Sequence, residues 1–168
     1  MQIFKKMATV SILLLALSFS AFGVNPKQYL GKKHIPLHIT ADKLTAFDKK
    51  GLYIFEGNVI ARRGDTTLKS DKMEVYKNLK TGDISKVICT GHVVITKENK
   101  KATANKAIYN ATNSEVTLIG NAVVISGKNT IKAGRIVYYL NKDYVVSQES
   151  NKNKRVEVTI YPKEKENK

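Results

Sequence analysis

The chain has 168 residues, one cysteine, three prolines and no tryptophan, with 29 Lys and Arg against 14 Asp and Glu. That is one domain's worth of core, and a single cysteine excludes an intrachain disulfide. The formal charge of +15 favours a polyanionic partner: nucleic acid, an anionic membrane surface or an acidic lipid headgroup, although the lysines of NKNKR and PKEKENK serve solvation as much as binding.

The first segment in chain order is not part of the fold. Lys5 and Lys6 precede the apolar run MATVSILLLALSFSAF, which ends at Ala21-Phe22-Gly23. A positive start, a short apolar stretch and small residues at −3 and −1 read as a secretory signal peptide, with cleavage after Gly23 and Ser20 as the second choice. The run is shorter than the roughly 20 residues that span a bilayer and is laced with Ser and Ala, which argues against an uncleaved anchor. No cysteine follows it, so lipid attachment to a new N-terminal Cys is excluded. Export makes nucleic acid an unusual partner. Cleavage removes Lys5 and Lys6 and no acid, leaving 27 basic residues against 14 acidic ones. Residues 24–33 read as an N-terminal extension, 34–162 as the folded domain, and 163–168 as a charged, disordered tail.

Beyond the leader no apolar pattern recurs at three and four residues, so no helix is predicted. Apolar residues alternate instead, rich in Val, Ile, Thr and Tyr. KKG, RRGD, NLKTGD, KENKK, ATNSE, SGKNT and LNKD punctuate them. Strands every ten to fifteen residues predict an all-β domain. Pro26, Pro36 and Pro162 lie at its ends and leave the ladder between them unbroken. Cys89, in the strand-like VICTGHVVI, reads as a small buried hydrophobe.

Two phrases repeat in alternation. ADKLTAF begins at 41, SDKMEVY at 70, ANKAIYN at 104 and AGRIVYY at 133. Between them come FEGNV at 55, CTGHV at 89 and LIGNA at 118. Asp42, Asp71, Asn105 and Gly134 are spaced by 29, 34 and 29 residues, and Gly57, Gly91 and Gly120 by 34 and 29. The longer interval contains NLKTGD, a longer turn. The unit is therefore a strand pair of about thirty residues, stacked several times. Strand alternation places Phe55, Gly57, Val59 and Ala61 on one face, Cys89, Gly91, Val93 and Ile95 on the next, and Leu118, Gly120, Ala122 and Val124 on the third. A glycine inside a strand marks a bulge, a bend or a close approach. Three in register curve the sheet, either as a corner alone or as a bend that shapes an apolar trough. The residues leave both open. Lys43, Lys72, Lys106 and Arg135 fall on the opposite parity and predict a row of outward cations.

Catalytic signatures are absent: no G-x-S-x-G, HExxH, P-loop or G-x-G-x-x-G occurs. His34 and His38 flank Ile35-Pro36-Leu37 at a strand start, where four residues span about 13 Å, too far for a shared metal. Asp42 and Asp71 read as strand-start residues rather than a carboxylate pair.

PLHITADKL (36–44), FEGNV (55–59), LKSDKMEVY (68–76), LIGNAVV (118–124) and RVEVTIYP (155–162), in this order and spacing, resemble the OstA-like family of periplasmic lipopolysaccharide-transport bridge proteins. The resemblance covers nearly all of the chain after the leader. It implies an open, slightly twisted antiparallel β-jellyroll built from repeated strand pairs. It also implies a non-catalytic role: lipopolysaccharide passes from inner to outer membrane with its acyl chains in an apolar groove, and no cofactor or metal takes part. Copies are expected to associate head to tail. The first strand, near 34–41, is expected to meet an LptC-like inner-membrane protein. The last, near 154–161, is expected to meet the next copy or an LptD-like outer-membrane protein. Leu37, Ile39, Phe55, Tyr109 and Leu118 match groove positions of the family. Parity adds Leu44, Val59, Met73, Val75, Val93, Ile95, Ala122, Val124, Ile136 and Tyr138. Other expectations compatible with the residues are an LptC-like membrane-anchored acceptor of the same fold and a generic periplasmic β-module for acidic glycans.

Overall fold

The computed structural model describes residues 37–142, 144–149 and 155–162. The expected signal peptide, N-terminal extension, His34 and charged tail lie outside the described residues. Ten strands follow one another: β1 His38–Thr40, β2 Lys43–Phe47, β3 Leu52–Arg63, β4 Thr66–Lys77, β5 Ile84–Lys97, β6 Lys100–Asn110, β7 Glu115–Ser126, β8 Asn129–Tyr139, β9 Tyr144–Gln148 and β10 Glu157–Thr159. Among the described residues the only helical piece is a 3₁₀ turn at Asp48–Lys50. Every pairing is antiparallel, and β3 to β8 form a meander in which each strand pairs with the next. The fold is thus an open antiparallel β-jellyroll, as the sequence implies.

Turn chemistry explains the meander. RRGD closes β3 onto β4 through Gly64-Asp65, and SGKNT closes β7 onto β8 through Gly127-Lys128, with both glycines at positive φ. Two-residue loops of this kind match the right-handed twist of the paired strands. The longer NLKTGD turn links β4 to β5. Its Asn78 carboxamide oxygen accepts the backbone N–H groups of Lys80 and Thr81 at 2.9 and 3.3 Å, an Asx-type closure.

The two repeated phrases meet at one corner. Gly57-Asn58, Gly91-His92 and Gly120-Asn121 all have positive φ, and pairing is interrupted at each: between Glu56 and Val59, Thr90 and Val93, and Ile119 and Ala122. Two residues there oppose one (Asp71, Asn105, Gly134) on the following strand, so each is a β-bulge. The chain just before each bulged strand, a bend for the first and a strand for the other two, supplies a side chain that lies over the glycine. Asp42 covers Gly57, Asp71 covers Gly91 and Asn105 covers Gly120, leaving no space for a Cβ. Asn58 donates its side-chain N–H to Asp42 at 2.9 Å, and His92 Nδ1 hydrogen-bonds to Asp71 at 2.8 Å. Glycine is required twice over, for the left-handed backbone and for this close approach.

The corner cuts each long strand into two segments and folds the sheet along one line. The first layer runs from β2, through the near half of β3, to β9. The second runs from β1, through the far half of β3, to β10. β1 and β2 both pair with β3, and β9 and β10 both pair with β8, so each end of the roll carries one short edge strand per layer. Buried side chains from the two layers form one hydrophobic cluster. At about 1.5–3 kcal/mol per buried aliphatic or aromatic side chain, this shared interior is what holds the layers together without a disulfide.

Candidate functional site

The register builds the inner face row by row. In the first layer, Leu44, Phe55, Met73, Cys89, Ala107, Leu118 and Ile136 are successive cross-strand partners. A second row holds Ala46, Tyr53, Val75, Val87, Tyr109, Val116, Tyr138 and Val145. In the second layer the row is Ile39, Ala61, Leu68, Ile95, Ala102, Val124, Ile131 and Val158. Val59, Val93 and Ala122 line the corner, opposite Ser70, Ala104 and Ala133. Leu37 packs against the cluster from the N-terminal side. Every residue singled out from sequence as a groove position therefore lies on the inner face.

These positions are not equally accessible. Met73, Val59, Val93, Ala122 and Ile136 are 1% exposed, so the middle of the roll is packed shut. Phe55 is half-buried, and Leu44 is 56% exposed. At the far end Val158 and Ile160 are 54% and 67% exposed, and Val156, of the same parity, is exposed with them. Apolar rows that are sealed in the centre thus run out into open apolar side chains at both ends. Burial pushes the Cys89 thiol up to about 12, with a hydrogen bond to Ser70 opposing the shift. It is an inert member of the apolar row.

The free ends of the two layers differ in polarity. In the first layer Ile84, Ala111 and Leu140 continue the apolar packing. In the second, the row just beyond Ala61 and Leu68 is Arg63, Thr66, Lys97, Lys100, Ser126 and Asn129, each paired to the next. Arg63, Thr66 and Lys97 are buried, and burial lowers the Arg63 guanidinium from its ordinary value. The expected outward cations also form a row. Lys43, Glu56, Lys72, Thr90, Lys106, Ile119 and Arg135 are successive partners on the opposite face. Lys43 pairs with Glu56 at 3.5 Å and Lys72 with Glu74 at 2.8 Å. Lys72, helped by the Tyr76 hydroxyl, holds the Glu74 carboxyl below the usual carboxylate range.

Sequence reasoning missed part of the inner face: Leu68, Val87, Ala102, Ala104, Val116 and Ala133. The signal was present. Inward residues step by two along a strand, then by three across the corner, as in Ile39, Ala41, Leu44 and again in Leu68, Ser70, Met73; in Ala102, Ala104, Ala107; and in Ile131, Ala133, Ile136. The rim cations carried the same alternation, Arg63 after Val59 and Ala61 and Lys97 after Val93 and Ile95, but their charge pointed to the outer face.

Comparison with known proteins agrees with this architecture. LptH of Pseudomonas aeruginosa, named a lipopolysaccharide export system protein, is 29% identical over 143 residues, covering 77% of this chain and 81% of its own. LptA of Escherichia coli K12, named likewise, is 28% identical over 163 residues, covering 92% and 84%. The crystal structure of LptH, described as the LptA-homologous periplasmic component of a lipopolysaccharide transport device, superposes with a TM-score of 0.65 at 23% identity, over 76% of this chain and 96% of that one; this supports the fold. Residues 38–144, which span β1 to the start of β9 and so contain all three bulged corners, match the family described as LptA/(LptD N-terminal domain) LPS transport protein, and the chain belongs to that family.

Proposed function

We propose that this protein is an exported, non-catalytic carrier that passes lipopolysaccharide from the inner to the outer membrane as one element of an end-to-end β-jellyroll bridge. Acyl chains lie against the inner apolar rows. Because the central residues are packed shut, the two layers part to admit them. The N-terminal edge, β1 and β2, meets an LptC-like inner-membrane protein. The C-terminal edge, β9 and β10, meets a further copy or an LptD-like outer-membrane protein, since unpaired edge strands invite strand addition.

One observation carries this reading: the apolar inner face is unfinished at both ends. It continues strand by strand and stops at exposed side chains, Leu44 at one end and Val158 at the other. An isolated domain gains nothing from such ends, whereas a stacked one extends the same surface into its neighbour. The relatives named for lipopolysaccharide export support the choice of cargo.

The test is site-specific photocrosslinking in cells. A photoreactive residue at Leu44 or Phe55 is expected to yield lipopolysaccharide adducts, and one at the outward Lys72 or Lys106 is not. Absence of adducts at both inner positions, in protein that is folded and exported, would overturn the proposal.

A further inference from the structure

We propose that the free end of the first layer, on its N-terminal side, docks on a bilayer surface that carries anionic phospholipid, with Leu79 and Phe47 entering the headgroup layer and the surrounding lysines meeting its phosphates. The surface lies on loops and on the outer face, apart from the inner rows, and does not depend on the carrier reading.

Two loops build it. Residues 48–51 link β2 to β3, and residues 78–83 link β4 to β5. They stand side by side at one end of the sheet. Lys77 donates its backbone N–H to the Gly51 carbonyl at 2.7 Å, and a Cβ on Gly51 would lie 3.0 Å from a Leu79 methyl. Leu79 thus covers a buried glycine. That contact uses one side of it, since the residue is still 66% exposed. Among the described residues it is the only exposed large apolar side chain in a hairpin loop. Phe47, at the end of β2, is exposed too. It opens a row on the outer face in which Phe47, Leu52, Tyr76 and Lys86 are successive partners.

Charge supplies the partner. Residues 47–52 and 76–86 hold five lysines and two aspartates, and Asp48 already accepts a hydrogen bond from the Tyr53 hydroxyl at 2.8 Å. Lys50 and Lys86 sit over the rings of Phe47 and Tyr76, 5.6 and 5.9 Å from their centroids. Each charged head is thereby held beside an apolar body. Lys49 and Lys80 are exposed. Apolar groups flanked by lysines match a membrane interface, where aliphatic and aromatic side chains enter the boundary and lysines stay at the level of the phosphates. The tips at the free end of the second layer differ. Gly64-Asp65, Glu98-Asn99 and Gly127-Lys128 carry no apolar side chain and two acids against one lysine. One side of the roll suits such a surface and the other does not.

The test uses the purified protein and vesicles of phosphatidylcholine, alone or mixed with phosphatidylglycerol in equal parts. The chain has no tryptophan, so Leu79→Trp reports on one position. Its emission is expected to move to shorter wavelength on the anionic vesicles and to stay unchanged on the neutral ones. Lys128→Trp, on the opposite side, is expected to stay unchanged on both. In co-sedimentation, Lys49→Gln/Lys80→Gln is expected to weaken binding to the anionic vesicles by about tenfold or more. All four positions are exposed, so these variants keep the fold. An unshifted Leu79→Trp, or a lysine variant that binds as tightly as the wild type, overturns the proposal. Equal shifts of Leu79→Trp and Lys128→Trp overturn it as well, because the vesicles would then take the basic chain without regard to side. None of these readings depends on lipid adducts at Leu44 or Phe55, so the two proposals fail separately.

Discussion

A Cβ at Gly91 would collide with the Asp71 carboxylate, on a backbone held at φ +78°. Two separable penalties follow, one conformational and one steric. Gly91→Ala is expected to lower stability by about 2–3 kcal/mol, read as a shift of the urea midpoint at constant slope. Adding Asp71→Ala removes the carboxylate but leaves the Asp71 Cβ 2.9 Å from the new methyl, so it is expected to recover part of the loss and not all of its steric share. A strictly additive double variant would show that Asp71 does not crowd the glycine. Cys89 gives a second prediction at this scale. Its thiol is neutral in the folded state up to about pH 12, whereas the ordinary value is 9.0. Above pH 9 the unfolded chain therefore releases a proton that the folded chain retains. Stability is intact below that value and is lost as pH rises from 9 toward 12, by up to about 1.4 kcal/mol per pH unit. Comparing urea midpoints of the wild type and Cys89→Ala across this window isolates the effect, since other groups titrate equally in both. Equal pH slopes would mean that the thiol is not held neutral.

Elements explain which parts of the fold could be read in advance. On the glycine-bearing strands the corner inserts Gly and one more residue, and the two-residue alternation survives it, so Phe55, Val59 and Ala61 were assignable by parity alone. On the partner strands a single residue opposes that pair, and the inward step becomes three. Strict alternation then holds on one side of Asp71 and fails on the other, which is why Met73 and Val75 were legible and Leu68 was not. Lysine is harder to read by type, because its long stem lets the charged head emerge from either face; Lys97 keeps the parity of Val93 and Ile95, but its charge argues for the outer face. The fourth Asx-type position is occupied by Gly134, and no corner glycine follows it in the sequence to be covered. The side chain is missing where its counterpart is missing. Among the edge strands, β10 is short and exposed, and Val158 faces Ile131 across the ladder. Val158→Asp is expected to shift self-association, measured by sedimentation, at least tenfold toward higher concentration, with the melting temperature changed by no more than a few degrees. Unchanged association would exclude this edge from the contact between copies.

The whole molecule is a row of neighbours. Each long strand contacts chiefly the one before and the one after, as in a repeat protein, so protection from solvent depends on distance from an open end. Hydrogen exchange is expected to be slowest in β5 and β6, intermediate in β4 and β7, and fastest in β1, β2, β9 and β10. Uniform protection would mean that the edges are as firmly held as the centre. The same arrangement makes the distance covered by the roll a matter of counting. Each of the pairs β3–β4, β5–β6 and β7–β8 brings its own glycine and its own hairpin and takes its covering side chain from the segment just before it, Asp42, Asp71 or Asn105, so none is borrowed from a distant part of the chain. A duplicated β5–β6 pair would find the same neighbours that the original has. It would add about 10 Å, two interstrand spacings, to the inner face without altering either end. Length and docking are thus independent variables in this architecture: a gap that widens can be matched by another pair of strands while the two terminal surfaces keep the partners they already have.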